Sequence, residues 1–149
     1  MKRSGLNMKR RKKPCPCGSA RPYESCCGVY HKKVHLPPTP VALMRARFTA
    51  YAKGRASYIM ETTDPDGPHF EENEGQWRTS ILAFSRKTRF IGLEVLSTGV
   101  DDHHGWVHFR ASLRQSGHDA SFEEKSNFRK AGLHWLYVDG LLTPCGENE

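Results

Sequence analysis

Four cysteines crowd into thirteen positions near the N-terminus, as Cys15-Pro16-Cys17, eight further residues, and Cys26-Cys27. Two close pairs joined by a short loop can fold back so that four sulfurs meet one ion at about 2.3 Å, the usual zinc–thiolate distance. Four thiolates around a divalent ion leave an excess of negative charge, which Lys12, Lys13 and Arg21 can offset while favouring deprotonation. Gly18 and Ser19 supply a tight turn whose backbone N–H groups can reach sulfur. The expected ligand set is Cys15, Cys17, Cys26 and Cys27, with His31 as an alternative to one of the adjacent pair, because neighbouring side chains diverge. Zinc is the preferred ion, and iron also suits a tetrahedral four-sulfur site. A redox role fits less well, since the spacing is not the C-x-x-C of thioredoxin-like proteins. Cys145 stands alone.

Charge is spread unevenly. The chain carries a formal +7 over 149 residues, yet residues 1–35 hold ten Lys or Arg against the single acid Glu24, and the remainder holds thirteen bases against fifteen acids. Residues 1–13, MKRSGLNMKRRKK, have almost no apolar content and read as a flexible basic tail, either a solvated extension or a binding arm. Such a segment suits acidic protein faces and RNA phosphates alike. No apolar run approaches the roughly 18 residues of a membrane span, and the charged start is not followed by the apolar stretch of a secretory signal. The expected location is the cytoplasm, without membrane contact, where crowded cysteines favour metal over disulfides.

The elements that must position these residues follow. Leu36-Pro37-Pro38 reads as a stiff linker. Thr39 is a good N-cap, Pro40 a good first helical residue and Gly54 a plausible stop, with Val41, Met44, Phe48 and Tyr51 on one helical face. A short helix over 56–62 and another over 76–84, with Trp77, Ile81 and Phe84 on one side, should follow. From residue 89 the period changes to alternation, predicting strands over 89–96, 105–114, 120–129 and 134–138. Helices followed by an antiparallel meander give an α+β class, and helices packed on a curved sheet leave a concave pocket.

Alternation places Phe122, Glu124, Ser126 and Phe128 on one covered face. A carboxylate among aromatics either finds a cation or stays protonated with a raised pKa, as a general acid or base needs. An ion pair of Glu124 with Arg45 or Arg47 is the favoured expectation, since buried charges are normally paired. Tyr51, Tyr58, Trp77, Trp135 and Tyr137 could line a pocket, although aromatic stripes at these periods usually form core. His103 and His104 fall in a turn, and His108 shares a strand face with Trp106 and Arg110. No phosphate loop, nucleophile elbow or second metal constellation is present, so no catalytic residue is assigned and enzymatic activity lacks support.

The run Cys15-Pro16-Cys17-Gly18-Ser19 through Tyr23 to Cys26-Cys27-Gly28 resembles the SEC-C metal-binding motif of the bacterial preprotein translocase motor. Leu43-Met44-Arg45-Ala46-Arg47-Phe48-Thr49-Ala50-Tyr51, Tyr58, Thr63-Asp64-Pro65, Glu124-Lys125-Ser126-Asn127-Phe128 and Trp135-Leu136-Tyr137-Val138-Asp139-Gly140 are similar to the bacterial YchJ family. Asp64 departs from the histidine common there. The resemblance implies a SEC-C knuckle, residues 14–35, joined to a cone-shaped NTF2-like domain, residues 39–142. It also implies an adapter whose knuckle and basic segment contact the ribosome or an export chaperone. The alternative is a small-molecule-binding or enzymatic cone with Glu124 as the ionisable pocket group.

Overall fold

A 3-10 turn, Tyr23–Ser25, leads through Cys26 into a short helix α1, Cys27–His31. These elements form the second arm of a small loop, closed at its base by a bridge between Pro14 and Pro22 and by Cys15 N–H donating to the Arg21 carbonyl at 2.7 Å. Gly28 lets the two pieces meet, since a Cβ there would lie 2.7 Å from the Tyr23 carbonyl oxygen. The computed structural model describes residues 13–143, so Cys145, Lys12 and the rest of the expected basic tail before Lys13 lie outside it.

Helix α2, Pro40–Lys53, starts as its local chemistry dictates. The Thr39 hydroxyl accepts from Ala42 N–H at 3.1 Å, Pro40 sits in the first turn, and Gly54 ends the helix at φ 70°, a left-handed value that suits glycine. Its burial is wider than the expected single face. Leu43, Met44, Ala46, Arg47, Phe48, Thr49 and Ala50 are all buried, because the cysteine loop packs on one side of the helix and the sheet on the other. Helix α3, Ala56–Glu61, and helix α4, Glu74–Lys87, follow. The last begins two residues earlier than the spacing suggests, because Asn73 caps it by accepting from Gln76 N–H at 3.0 Å.

Strand β1, Thr88–Asp101, β2, His104–Gln115, the two-residue β3, His118–Asp119, β4, Phe122–Ala131, and β5, His134–Thr143, form an antiparallel sheet in the order β1-β2-β4-β5, with β3 paired to β2. The turn at Ser116-Gly117 has positive φ at both positions, the tight hairpin geometry whose twist matches the strands it joins. Register shifts in β1 and between β4 and β5 mark bulges, which bend a sheet. β1 and β5 run five residues beyond expectation because hairpin pairing continues past their more buried stretches into exposed residues. Along β2, Val107, Phe109, Ala111 and Leu113 are buried, and Phe122, Glu124, Ser126 and Phe128 of β4 line the same inner space, as alternation requires. The α+β class and the helices-on-curved-sheet arrangement are thus observed. No helix among the described residues is long and apolar enough to cross a membrane.

Candidate metal centre and cone cavity

The sulfurs of Cys15, Cys17, Cys26 and Cys27 all lie within 4.8 Å of one another, and all four residues are buried. Cys17 and Cys26 sulfurs stand 3.6 Å apart, far beyond a disulfide bond of about 2.05 Å and close to the roughly 3.8 Å edge of a tetrahedron with zinc–thiolate bonds. The cluster is therefore made of free thiols arranged as a metal would require, and these four residues could hold one ion.

The turn works differently from the expectation. Gly18, at φ 86°, bonds its N–H to the Cys15 carbonyl, and the Ser19 hydroxyl meets the Cys26 sulfur at 3.1 Å. Arg21 Nη2 donates to the same sulfur at 3.7 Å, and the Thr49 hydroxyl lies 3.5 Å from the Cys15 sulfur. Lys13 is exposed. Within the cluster, hydrogen bonds from the Cys17 and Cys27 thiols lower the Cys15 pKa. Those same bonds raise the pKa values of Cys17 and Cys27, with burial adding to the rise. One thiolate can thus be sheltered by its neighbours, whereas four need a cation between them.

His31 is removed from the ligand set. Its Nδ1 meets the Tyr23 hydroxyl at 2.7 Å and its Nε2 meets the Ala46 carbonyl at 2.8 Å, so both ring nitrogens are engaged elsewhere. Burial lowers its pKa, consistent with a neutral ring donating Nε2–H to that carbonyl. His31 also packs 4.8 Å from the Tyr58 ring. It belongs to a seam joining the cysteine loop to the cone, together with Arg45 Nη1 on the Cys17 carbonyl at 2.6 Å and a Lys33–Glu61 ion pair at 2.8 Å. The proline linker is tied down as well, by Trp135 Nε1 donating to the Pro38 carbonyl at 3.3 Å.

Between α2, α4 and the inner sheet face lies a cavity of about 440 Å³. Glu124 lines it, but the expected arginine pair is not there. The Glu124 Oε2 accepts from the Ser126 hydroxyl at 2.7 Å and the Tyr137 hydroxyl at 3.1 Å. Arg45 is spent on Cys17, and Arg47 gives its Nη1 to Ile59 O, Thr62 Oγ1 and Thr63 Oγ1. The reason is tertiary: the phenol of Tyr137 comes between, with the Arg47 guanidinium 4.5 Å above its ring. Gly140 makes room for the carboxylate, since a Cβ there would collide with the Glu124 side chain. Of the expected aromatic lining, Tyr51, Trp77 and Tyr137 face the cavity, whereas Tyr58 and Trp135 do not. His103 and His104 are exposed in and beside the β1–β2 turn, and His108 bonds Glu123 at 2.7 Å.

Residues 11–28 match the SEC-C motif, and residues 39–140 match the family described as YchJ, middle NTF2-like domain. The chain belongs to the YchJ family. Similar YchJ-type proteins include a UPF0225 protein of Streptomyces coelicolor, 38% identical over 85% of this chain and 94% of its own length. A UPF0225 protein of Serratia proteamaculans is 33% identical over 90% of this chain and 86% of its own. Among solved structures, a SEC-C motif containing protein from Rhodopseudomonas palustris superposes with a TM-score of 0.76 at 34% identity, covering 89% of this chain and all of that one. A SEC-C motif containing protein from Psychrobacter arcticus gives a TM-score of 0.69 at 24% identity over 89% of this chain and 84% of its own, a likeness of fold.

Sequence reasoning missed several contributors in this YchJ-family chain. Thr49 and Arg45 reach the cysteine loop from α2, and no spacing rule connects positions 34 and 28 residues apart. In the sequence Asp64 stands out only as a departure from the family histidine. It is buried and accepts from Arg129 Nη2 at 2.7 Å and Nε at 3.0 Å, bracing the segment after α3 against β4.

Proposed function

We propose that Cys15, Cys17, Cys26 and Cys27 hold one structural metal ion, zinc ahead of iron, and that the chain acts in the cytoplasm as an adapter. In this reading the ordered knuckle and the basic segment bind the ribosome or an export chaperone. The observation that carries the metal assignment is the convergence of four buried sulfurs within 4.8 Å, ringed by a serine hydroxyl, a threonine hydroxyl and a guanidinium. Four cysteine donors leave no position for a reacting water, so the ion would supply folding energy and shape instead of catalysis. The adapter assignment is supported by charge: ten bases against one acid in residues 1–35, with Lys13, Arg21 and Lys32 exposed among the described residues.

Metal analysis of the purified protein should return one equivalent, and Cys26→Ser with Cys27→Ser should abolish loading. Co-sedimentation with ribosomes, and titration against the chaperone, should weaken steeply between about 50 and 200 mM salt. Changing Lys9, Arg10, Arg11, Lys12 and Lys13 to Gln should flatten that dependence. Full retention by a chain lacking residues 1–35 would defeat the adapter reading.

One observation favours a second function, a small-molecule site in the cone. Glu124 lines a largely apolar cavity and is held by two hydroxyls, and among the described residues no arginine forms an ion pair with it.

A further inference from the structure

The cavity contains an unusual cation. Arg47 is 8% exposed, yet among the described residues it forms no ion pair, and all of its hydrogen bonds leave from Nη1. Nη2 and Nε, on a residue that lines the cavity, have no hydrogen-bond partner there. Three neutral oxygens and the face of Tyr137 are the groups in contact with this guanidinium; burial lowers its pKa, and the charge of Glu124, which is not in contact, offsets that only in part. A buried charge of this kind is normally met by an opposite one.

Glu124 meets the hydroxyl end of the same Tyr137 whose ring face Arg47 covers, and it accepts from two hydroxyls. Much of the remaining wall is apolar and aromatic, with Phe48, Phe84 and Phe90 in edge-on contacts at 5.5 and 5.8 Å. The volume falls in the usual range for small-molecule sites, about 300–1,000 Å³.

Resting on the small-molecule reading of the cone, we propose that the cavity binds an apolar, preferably aromatic, monocarboxylic acid that also carries a hydroxyl. Its carboxylate lies against the unused edge of Arg47, and its hydroxyl donates to Glu124. A guanidinium with two adjacent free donors matches a carboxylate in a bidentate fashion. Charge argues for a monoanion: Arg47 is the one arginine or lysine among the described lining residues, His69 and Glu71 line the cavity from exposed positions, and the carboxylates of Glu124 and Glu71 would repel a second negative charge such as that of a phosphate dianion.

Three probes of similar shape test this on the full-length, metal-loaded protein: 3-(4-hydroxyphenyl)propionate, 3-phenylpropionate and the neutral 3-phenylpropanamide. Binding is followed by amide NMR shifts in β4 and by calorimetry at pH 7. The amide should bind at least about tenfold more weakly than 3-phenylpropionate, the scale of a charge-assisted pair. The phenol should add a further factor of about five; Glu124→Gln should bring that phenol-over-phenyl ratio toward one, while the loss of its negative charge strengthens binding of both acids. Arg47→Lys should weaken both acids; the selectivity of the unmodified protein stands as a test even if that variant fails to fold. Equal binding of acid and amide would overturn the carboxylate assignment while leaving a ligand cavity in place. Absence of binding by all three would overturn both.

Discussion

Arg45 donates Nη1 to the Cys17 carbonyl at 2.6 Å, so the first long helix grips the backbone between two of the clustered cysteines. Bonds of this kind orient metal ligands from outside the coordination sphere, and their loss typically costs about 10- to 100-fold in metal affinity. Arg45→Met should therefore lower affinity by about tenfold in a competition titration against a chelator, with all four cysteines intact. An unchanged affinity would show that the loop holds its shape without the helix.

Removal of the ion proposed at the four cysteines should reach the cone. The sequence suggests two separable units, but His31, Lys33, Arg45 and Thr49 join the cysteine loop to α2 and α3. Treatment with a strong chelator should abolish amide protection over residues 13–35 and reduce it along α2, leaving the central strands β2 and β4 protected. Full protection of α2 after metal removal would establish independence.

The Asp64–Arg129 pair sets an acid sensitivity. Hydrogen bonds from Arg129 hold the Asp64 carboxyl below the usual carboxylate range. Its contribution is complete above the unfolded value of about 3.9 and is lost as pH falls through the lower folded value. Asp64→Asn should reduce stability at pH 7 by about 2 kcal/mol in urea unfolding, the scale of hydrogen bonds to a charged group. The deficit should shrink toward pH 2. An equal deficit at both pH values would assign the effect to packing.

Gly140→Ala tests the seat of Glu124. A methyl group there collides with the Glu124 side chain, so the carboxylate must move or the β4–β5 pair must shift. Destabilisation of about 1–3 kcal/mol is expected, as for other overpacked sites. Glu124→Ala in the same chain should recover much of it. Failure of that second change to compensate would place the strain in the backbone.

What the sequence determined by itself was local. The Cys15-Pro16-Cys17 and Cys26-Cys27 pairs lie close enough along the chain for short-range geometry to bring them together. Thr39, Pro40 and Gly54 bound their helix through contacts within a turn, and alternation in β4 assigns Glu124 to the inner face because the side-chain period of a strand is two. The tertiary structure decided the partners. His31 was within reach of a metal by chain length, but the placement of Tyr23 and the Ala46 carbonyl occupies both of its nitrogens. Arg47 was within reach of Glu124 by proximity of elements, but β5 carries Tyr137 between them. Asp64 and Arg129 meet across 65 positions. Such choices depend on how whole elements pack against one another, and a side chain's own sequence neighbourhood contains no record of which distant donor will arrive.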